Sequence, residues 1–195
     1  MLDIEPDLEA LLEQLTVEGE AHDRREPDHA RQVLNLEPVT AELISMLIRS
    51  SRRRRVLEIG TSNGYSTIWL AWAVGEEGRV TSLDRSEEKQ RLAADNLVRA
   101  GLRDRVDLRC GEATELVSQL EDGLDCVFFD ADRISAPQQL ERLLPFLDQD
   151  VLLLADNAIS HLEEISGYLL AVESMPDLAH TVVPVGKGLS LAHRR

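Results

Sequence analysis

The sequence predicts a single α/β domain built on a mostly parallel sheet whose last strand runs the other way. Three observations carry this expectation. Five strand-like runs, Val56 to Ile59, Arg79 to Asp84, Val106 to Cys110, Leu124 to Asp130 and Val151 to Asp156, are separated by helix-length segments. Two further runs, Thr181 to Val183 and Leu189 to Leu191, are joined only by the turn around Gly186-Lys187-Gly188, a connection suited to antiparallel pairing. The chain has 195 residues, enough for one well-buried core and too few for two. Residues 1–50 are expected to form a helical N-terminal region and residues 51–195 the core.

Leu8, Leu11, Leu12 and Leu15 recur at helical spacing, so the chain opens with an amphipathic helix outside the sheet, placed to cover the site or a partner subunit. A polar stretch, Glu18 to Arg31, separates it from a second helix introduced by Pro38, with Leu43, Ile44, Leu47 and Ile48 as its apolar positions. Arg52 to Arg55 precede the first strand and read as a solvated loop. After Asp84, Ser86 suits a helix N-cap and Glu87 and Glu88 suit its first turn, while Leu92, Ala93, Leu97 and Val98 mark its apolar face. Leu162, Ile165, Leu169 and Val172 do the same for the last helix. Trp69 and Trp72 fall in the apolar helix after the glycine turn, where core packing is expected.

The formal charge is -15, from 36 acidic against 21 basic residues. Nucleic acid and anionic membranes would on average be repelled. Cys110 and Cys126 form no CxxC pair and sit in apolar strand segments, so both read as buried thiols of a reducing cytoplasm. No apolar run approaches the roughly 20 residues that cross a bilayer, and no signal-like segment precedes the first helix. The expectation is a cytoplasmic protein without membrane partners.

The stretch from Val56 to Ser66 runs from a strand through a turn containing Gly60 and Gly64 into a helix. Such a turn wraps closely around a nucleoside-type ligand at a helix N-terminus. Asp84 closes the second strand, where an acid accepts hydrogen bonds from ribose hydroxyls. The dinucleotide fingerprint would need glycine at position 62, which is Ser62. Asp130, Asp156 and Asn157 end two further strands. Where those strands are neighbours, three oxygen donors converge in a set suited to a hard divalent cation such as Mg²⁺. The alternative is that the two aspartates cap following helices and Asn157 makes a turn.

Four ordered motifs, Leu57-Glu58-Ile59-Gly60-Thr61 with Gly64-Tyr65-Ser66, Phe129-Asp130-Ala131-Asp132, Asp156-Asn157, and Pro184 to Leu189, resemble those of the metal-dependent O-methyltransferases. That group includes catechol and caffeoyl-CoA methyltransferases and their bacterial relatives, and the resemblance runs from Pro38 to the C-terminus. It implies a Rossmann-like sheet of seven strands with the last one reversed, S-adenosylmethionine as cofactor, and a homodimer. Carried over by position, Glu58, Gly60, Thr61, Gly64 and Ser66 surround the methionine part of the cofactor, Asp84 the ribose, and Glu112 and Ala113 the adenine. Asp130 lies beside the cofactor, and Asp130, Asp156 and Asn157 match the metal ligands.

The implied reaction is methyl transfer to a hydroxyl of a small catechol-like molecule, with the cation lowering the hydroxyl pKa. Arg133 and Asp130 are the catalytic assignments. Arg133 stands where relatives carry a lysine base; a guanidinium stays protonated, so it would stabilise an oxyanion while the cation, Asp132 or His161 takes over proton removal. The family's aromatic residue is missing around Ile134, Ser135 and Ala136, Glu112 replaces the usual aspartate, and the short connection after Asn157 predicts an open site. Arg133 and the short connection leave a cofactor-binding protein with lost catalysis standing as an alternative, and the likeness of some bacterial relatives to tRNA hydroxyuridine methyltransferases, with Arg52 to Arg55 as the candidate patch, leaves that class as another.

Overall fold

The computed structural model describes residues 2–121 and 123–194. Its centre is one sheet of seven strands in the order β3-β2-β1-β4-β5-β7-β6. The strands are β1 (Arg55–Ile59), β2 (Arg79–Asp84), β3 (Val106–Cys110), β4 (Leu124–Phe129), β5 (Leu147–Ala155), β6 (Leu178–Val183) and β7 (Leu189–Arg194). β1 to β5 pair in parallel, and β7 runs antiparallel to both β5 and β6. The predicted seven-stranded, mostly parallel sheet with a reversed final strand is therefore what forms. β5 begins at Leu147, before the expected Val151, and a register shift between Leu124 and Cys126 absorbs the extra length.

Both faces of the central strands are covered, so their buried stretches are near-continuous apolar runs, with Glu58 of β1 a buried charged exception. Val56 and Phe128 point into a core shared with the first three helices, α1 (Pro6–Asp23), α2 (Pro38–Ser50) and α3 (Tyr65–Ala73). Leu57, Val127 and Phe129 point the other way, toward α6 (Ala136–Leu143) and α7 (Leu162–Glu173), which cover that face with Leu140, Leu143 and Tyr168. α3 is buried along its whole length, Trp69 and Trp72 included. The leucines of α1 predicted to face inward, Leu8, Leu11, Leu12 and Leu15, are all buried.

Some expectations are corrected by hydrogen bonding. α4 (Glu87–Arg99) is capped by Ser86, whose Oγ accepts from the Lys89 N–H at 3.2 Å, but its buried face is Gln90, Ala93, Asn96 and Leu97. Leu92 and Val98 are exposed, at 43% and 64%, because Gln90 and Asn96 turn inward to bond the glycine turn. Leu162, expected on the apolar face of α7, is likewise exposed. The arginine run is a solvated loop at Arg52 and Arg54, and Arg55 is exposed at the start of β1, but Arg53 departs from that reading. Arg53 is buried and paired with Asp150, while Arg54 and Arg55 pair with Glu77 and Asp148. Cys126 is buried, but Cys110 is exposed.

Register aligns the strand ends that matter. Ile59 stands opposite Leu83 and Phe129, and Phe129 stands opposite Ala155. The residues that follow, Gly60, Asp84, Asp130 and Asp156, therefore share one edge of the sheet, beside β1 where the strand order reverses. That is the place where open α/β sheets hold ligands. Gly60 has φ +113, and a Cβ there would lie 2.3 Å from the carbonyl oxygen of Asp130. We expect Gly60→Ala to cost more than about 2 kcal/mol, from left-handed strain plus overpacking. A urea midpoint within error of the parent would contradict this close approach.

Candidate functional site

The turn after β1 is held from below by Glu58, which is fully buried. Its Oε1 accepts from Ser66 Oγ at 2.6 Å, and its Oε2 accepts from Thr67 Oγ1 and Ser82 Oγ, each at 2.5 Å. One carboxyl thereby joins β1 to the first turn of α3 and to β2. Ser82 also meets Thr61 Oγ1 at 2.6 Å, and Gln90 Nε2 donates to that same Thr61 oxygen at 3.1 Å. The chain of side chains fixes the path of Gly60 to Gly64. Gly64 has φ +84, and an added Cβ would come within 3.0 Å of Ala93 on α4, so this glycine serves helix packing.

Above the turn lies a cavity of about 490 Å³. Gly60, Thr61, Ser66, Asp84, Glu112 and Ala113 all line it. Glu58 and Gly64 are not among the lining residues: Glu58 lies beneath the turn, and Gly64, which ends it, packs against Ala93. Asp84 is fixed at both oxygens: Oδ2 accepts from the Ser62 N–H at 2.9 Å and Oδ1 from the Ser86 N–H at 2.8 Å. Ser62 adopts φ +48, the conformation for which a dinucleotide fingerprint would supply glycine. Glu112 caps and Ala113 begins the short helix α5 (Ala113–Leu116), which follows β3, the strand paired with Asp84's.

At the far end of the cavity stand Asp130, Arg133, Asp156, Asn157, His161 and Lys187. Asp156 is buried; its Oδ2 accepts from Asn157 Nδ2, while its Oδ1 has no hydrogen-bond partner among the described residues. Asn157 takes φ +65 and is also buried. Arg133 spans two groups, donating from Nη1 to Glu164 Oε2 at 2.9 Å and from Nη2 to Asn157 Oδ1 at 3.1 Å. Asp132 is committed to the turn before α6, accepting from the Ile134 N–H and Ser135 Oγ. Lys187 pairs with Glu37 at 2.7 Å. Among the described residues no group of three or more His, Cys, Asp and Glu side chains is arranged to hold a metal. The oxygen set here is two carboxylates and one amide.

Electrostatics mark the same end of the sheet. Burial pushes the Glu58 carboxyl up to about 7, against the pull of its three hydroxyl donors. Burial, then the neighbouring Asp156 and Glu58 charges, hold Asp130 well above the usual carboxylate range. Burial also raises Asp156, to about 6. Lys187 is raised even though burial opposes it, because Glu37 and then Asp156 and Asp130 favour its charge. Two acids of depressed acidity in the cavity wall, Asp130 and Asp156, with a third, Glu58, buried behind it, form a constellation typical of functional sites.

One wall has no counterpart in the motif reading. Residues His29 to Leu36 cross beside the glycine turn, and Val33, Leu34, Asn35 and Leu36 line the cavity. The Asp23 carboxylate accepts from the N–H groups of Val33 and Leu34 at 2.8 and 2.9 Å, and Ser62 Oγ donates to the Val33 carbonyl at 2.6 Å. This strap bounds the cavity beside the glycine turn. Lys187 belonged to a recognised motif, yet only the turn's docking beneath Glu37 reveals its position in the cavity.

The strand order, the reversed β7 and the cavity at the switch point define the Rossmann-like methyltransferase fold. Residues 10–195 match the O-methyltransferase family, and the chain belongs to that family. A catechol O-methyltransferase of Mycobacterium tuberculosis is 36% identical over 119 residues, covering 60% of this chain and 54% of that one. Another, of Niastella koreensis, is 32% identical over 130 residues, covering 65% and 59%. The matches thus span little more than half the length of these curated relatives. A solved O-methyltransferase from Bacillus cereus in complex with SAH aligns with TM-score 0.83 at 26% identity, covering 100% of this chain and 94% of that one. The family and fold implied by the motifs are those found.

The raised Glu58 pKa predicts a pH dependence of stability. The folded state holds this proton more tightly than the unfolded state, so the contribution is complete below about 4.5 and is lost as pH rises to about 7. Urea midpoints measured at pH 5 and pH 8 should therefore fall for the parent, and fall less for Glu58→Gln. Equal slopes in the two proteins would contradict the assignment.

Proposed function

We propose that this chain transfers a methyl group from S-adenosylmethionine to a hydroxyl of a small catechol-like molecule, assisted by a divalent cation such as Mg²⁺. The observation carrying this reading is one cavity lined both by the glycine turn with Asp84 and by Asp130, Asp156 and Asn157. Its volume suits a cofactor with a small second ligand. The SAH bound to the Bacillus cereus relative supports the cofactor.

The chain's residues fit both groups. Asp84, with each oxygen already oriented by one backbone N–H, keeps lone pairs for ribose hydroxyls. Gly60, Thr61 and Ser66 border the methionine part, Glu112 and Ala113 the adenine, and Glu58 and Gly64 act by holding the turn. For the cation, the unpartnered Asp156 Oδ1 and the mutual repulsion of Asp130 and Asp156 mark a hard-oxygen set short of positive charge. When bound, the cofactor supplies an electrophilic methyl group, and a cation lowers the pKa of a hydroxyl and orients it.

The remaining chemistry belongs to the side chains. Arg133 stays protonated and stabilises developing negative charge at the acceptor oxygen rather than removing its proton. Asp130 joins the two halves, lying next to Gly60 and holding the cation side. Asp132 is occupied by the turn, so His161 on the cavity wall takes the proton. The strap excludes water along the cofactor side. The same reading includes a homodimer, supported by Val39 and Met46, one face of α2 and each 53% exposed, and a cytoplasmic setting. No helix among the described residues is long and apolar enough to cross a membrane. Arg53, Arg54 and Arg55 are paired with acids at the opposite end of β1, which favours a small-molecule acceptor over tRNA.

Incubation with labelled cofactor and a catechol panel should give transfer that EDTA abolishes; undiminished transfer in EDTA would sink the cation's role. Asp84→Ala should weaken cofactor binding by about tenfold or more, the cost of losing hydrogen bonds to a charged group. Asp156→Ala should instead remove metal-dependent turnover while cofactor affinity stays within about threefold, as read by calorimetry. Equal losses of cofactor affinity in both variants would overturn this division of the cavity.

A further inference from the structure

Arg133 does more than occupy the position of an expected base. Its planar fork is fixed at one end by Glu164, in the first turn of α7, and at the other by Asn157 Oδ1. A guanidinium only donates hydrogen bonds, so the amide atom facing it must be the oxygen. The Asn157 Nδ2 is then turned toward Asp156, where it donates to Oδ2. Ser160 Oγ gives Asn157 Oδ1 a second donor at 3.3 Å. Both lone pairs of that oxygen are therefore engaged, and one oxygen of Asp156 is covered by the amide.

A hard cation needs a free lone pair on each oxygen it binds. Asp156 Oδ1 offers one, being without a partner. Asn157 Oδ1 does not while Arg133 and Ser160 both hold it. The Asn157 backbone is fixed, with its N-terminal neighbour bonded to Phe129 and its own carbonyl bonded to the His161 N–H at 3.1 Å, so the amide group is the part able to turn. We propose that Arg133 is a positioning residue that latches Asn157 in a hydrogen-bonded orientation, and that a divalent cation binds by displacing this latch, whose strength is set by Glu164. The inference rests on the reading of Asp130, Asp156 and Asn157 as the cation site.

The latch and a plain electrostatic effect differ in sign at Glu164. Removing an anion near a cation site weakens cation binding if the field alone acts. If Glu164 matters by anchoring Arg133 against Asn157, its removal frees the amide and tightens binding. Arg133→Lys keeps the charge but lacks the fork that spans both partners. Mn²⁺ serves as the probe, with free ion followed by electron paramagnetic resonance during titration of the cofactor-loaded parent, Glu164→Gln and Arg133→Lys proteins. Outer-sphere partners change metal affinity by about 10–100-fold, so both variants are expected to bind Mn²⁺ about tenfold more tightly than the parent. Thermal melts of the three proteins check that folding is retained. Affinity at or below that of the parent in either variant overturns the latch. Absence of Mn²⁺ binding in all three overturns the cation site itself, and the latch with it.

Discussion

A buried carboxyl group holds the functional half of this molecule in shape. Glu58 sits in the middle of the sheet and accepts hydrogen bonds from three hydroxyls, on α3 and on β2. Its burial carries a desolvation cost that these three hydrogen bonds offset while they tie β1 to α3 and to β2. The glycine turn cannot shift without breaking one of them. Asp84 and the N-terminus of α3 are consequently presented to the cavity in fixed relation, before any ligand arrives.

A second constraint acts at the other end of the cavity, where charge is deliberately concentrated. Asp130 and Asp156 follow adjacent strands; burial, then the Asp156 charge, raises Asp130, while burial, then the Glu37 charge, raises Asp156. Arg133 and Lys187 each lower that penalty, but each also has a partner elsewhere, in Glu164 and Glu37. The positive charge is thus offered without being surrendered wholly to the aspartates. That balance leaves room for an additional cation in a way that a direct Arg–Asp pair would not.

Much of the architecture was legible because its signals are local. Strand ends carrying Asp84, Asp130 and Asp156, the Ser86 cap and the glycine turn depend on neighbours in the chain, and the family motifs added the order of the pieces. Features that depended on distant partners were not. Gln90 and Asn96 are polar, so periodicity assigned them outward, yet Thr61 and Asn63 await them inside. Arg53 read as solvated because Asp150, its partner, is remote in sequence. The strap was invisible for the same reason, since Asp23 and Ser62 hold it through backbone groups that any residue possesses. Pocket-lining identity at the substrate end likewise comes from turns docking together rather than from any local pattern.

The strap is fastened through main-chain atoms at Val33 and Leu34, with side-chain anchors placed outside it at Asp23 and Ser62. The exposed side chains of His29, Ala30 and Leu34 line the cavity and take no part in these moorings, whereas Gln32 and Asn35 hold the strap by hydrogen bonds and Val33 and Leu36 are buried. The fold thus lets the wall beside the glycine turn be reshaped at those three positions while the hydrogen bonds that hold the wall in place stay as they are.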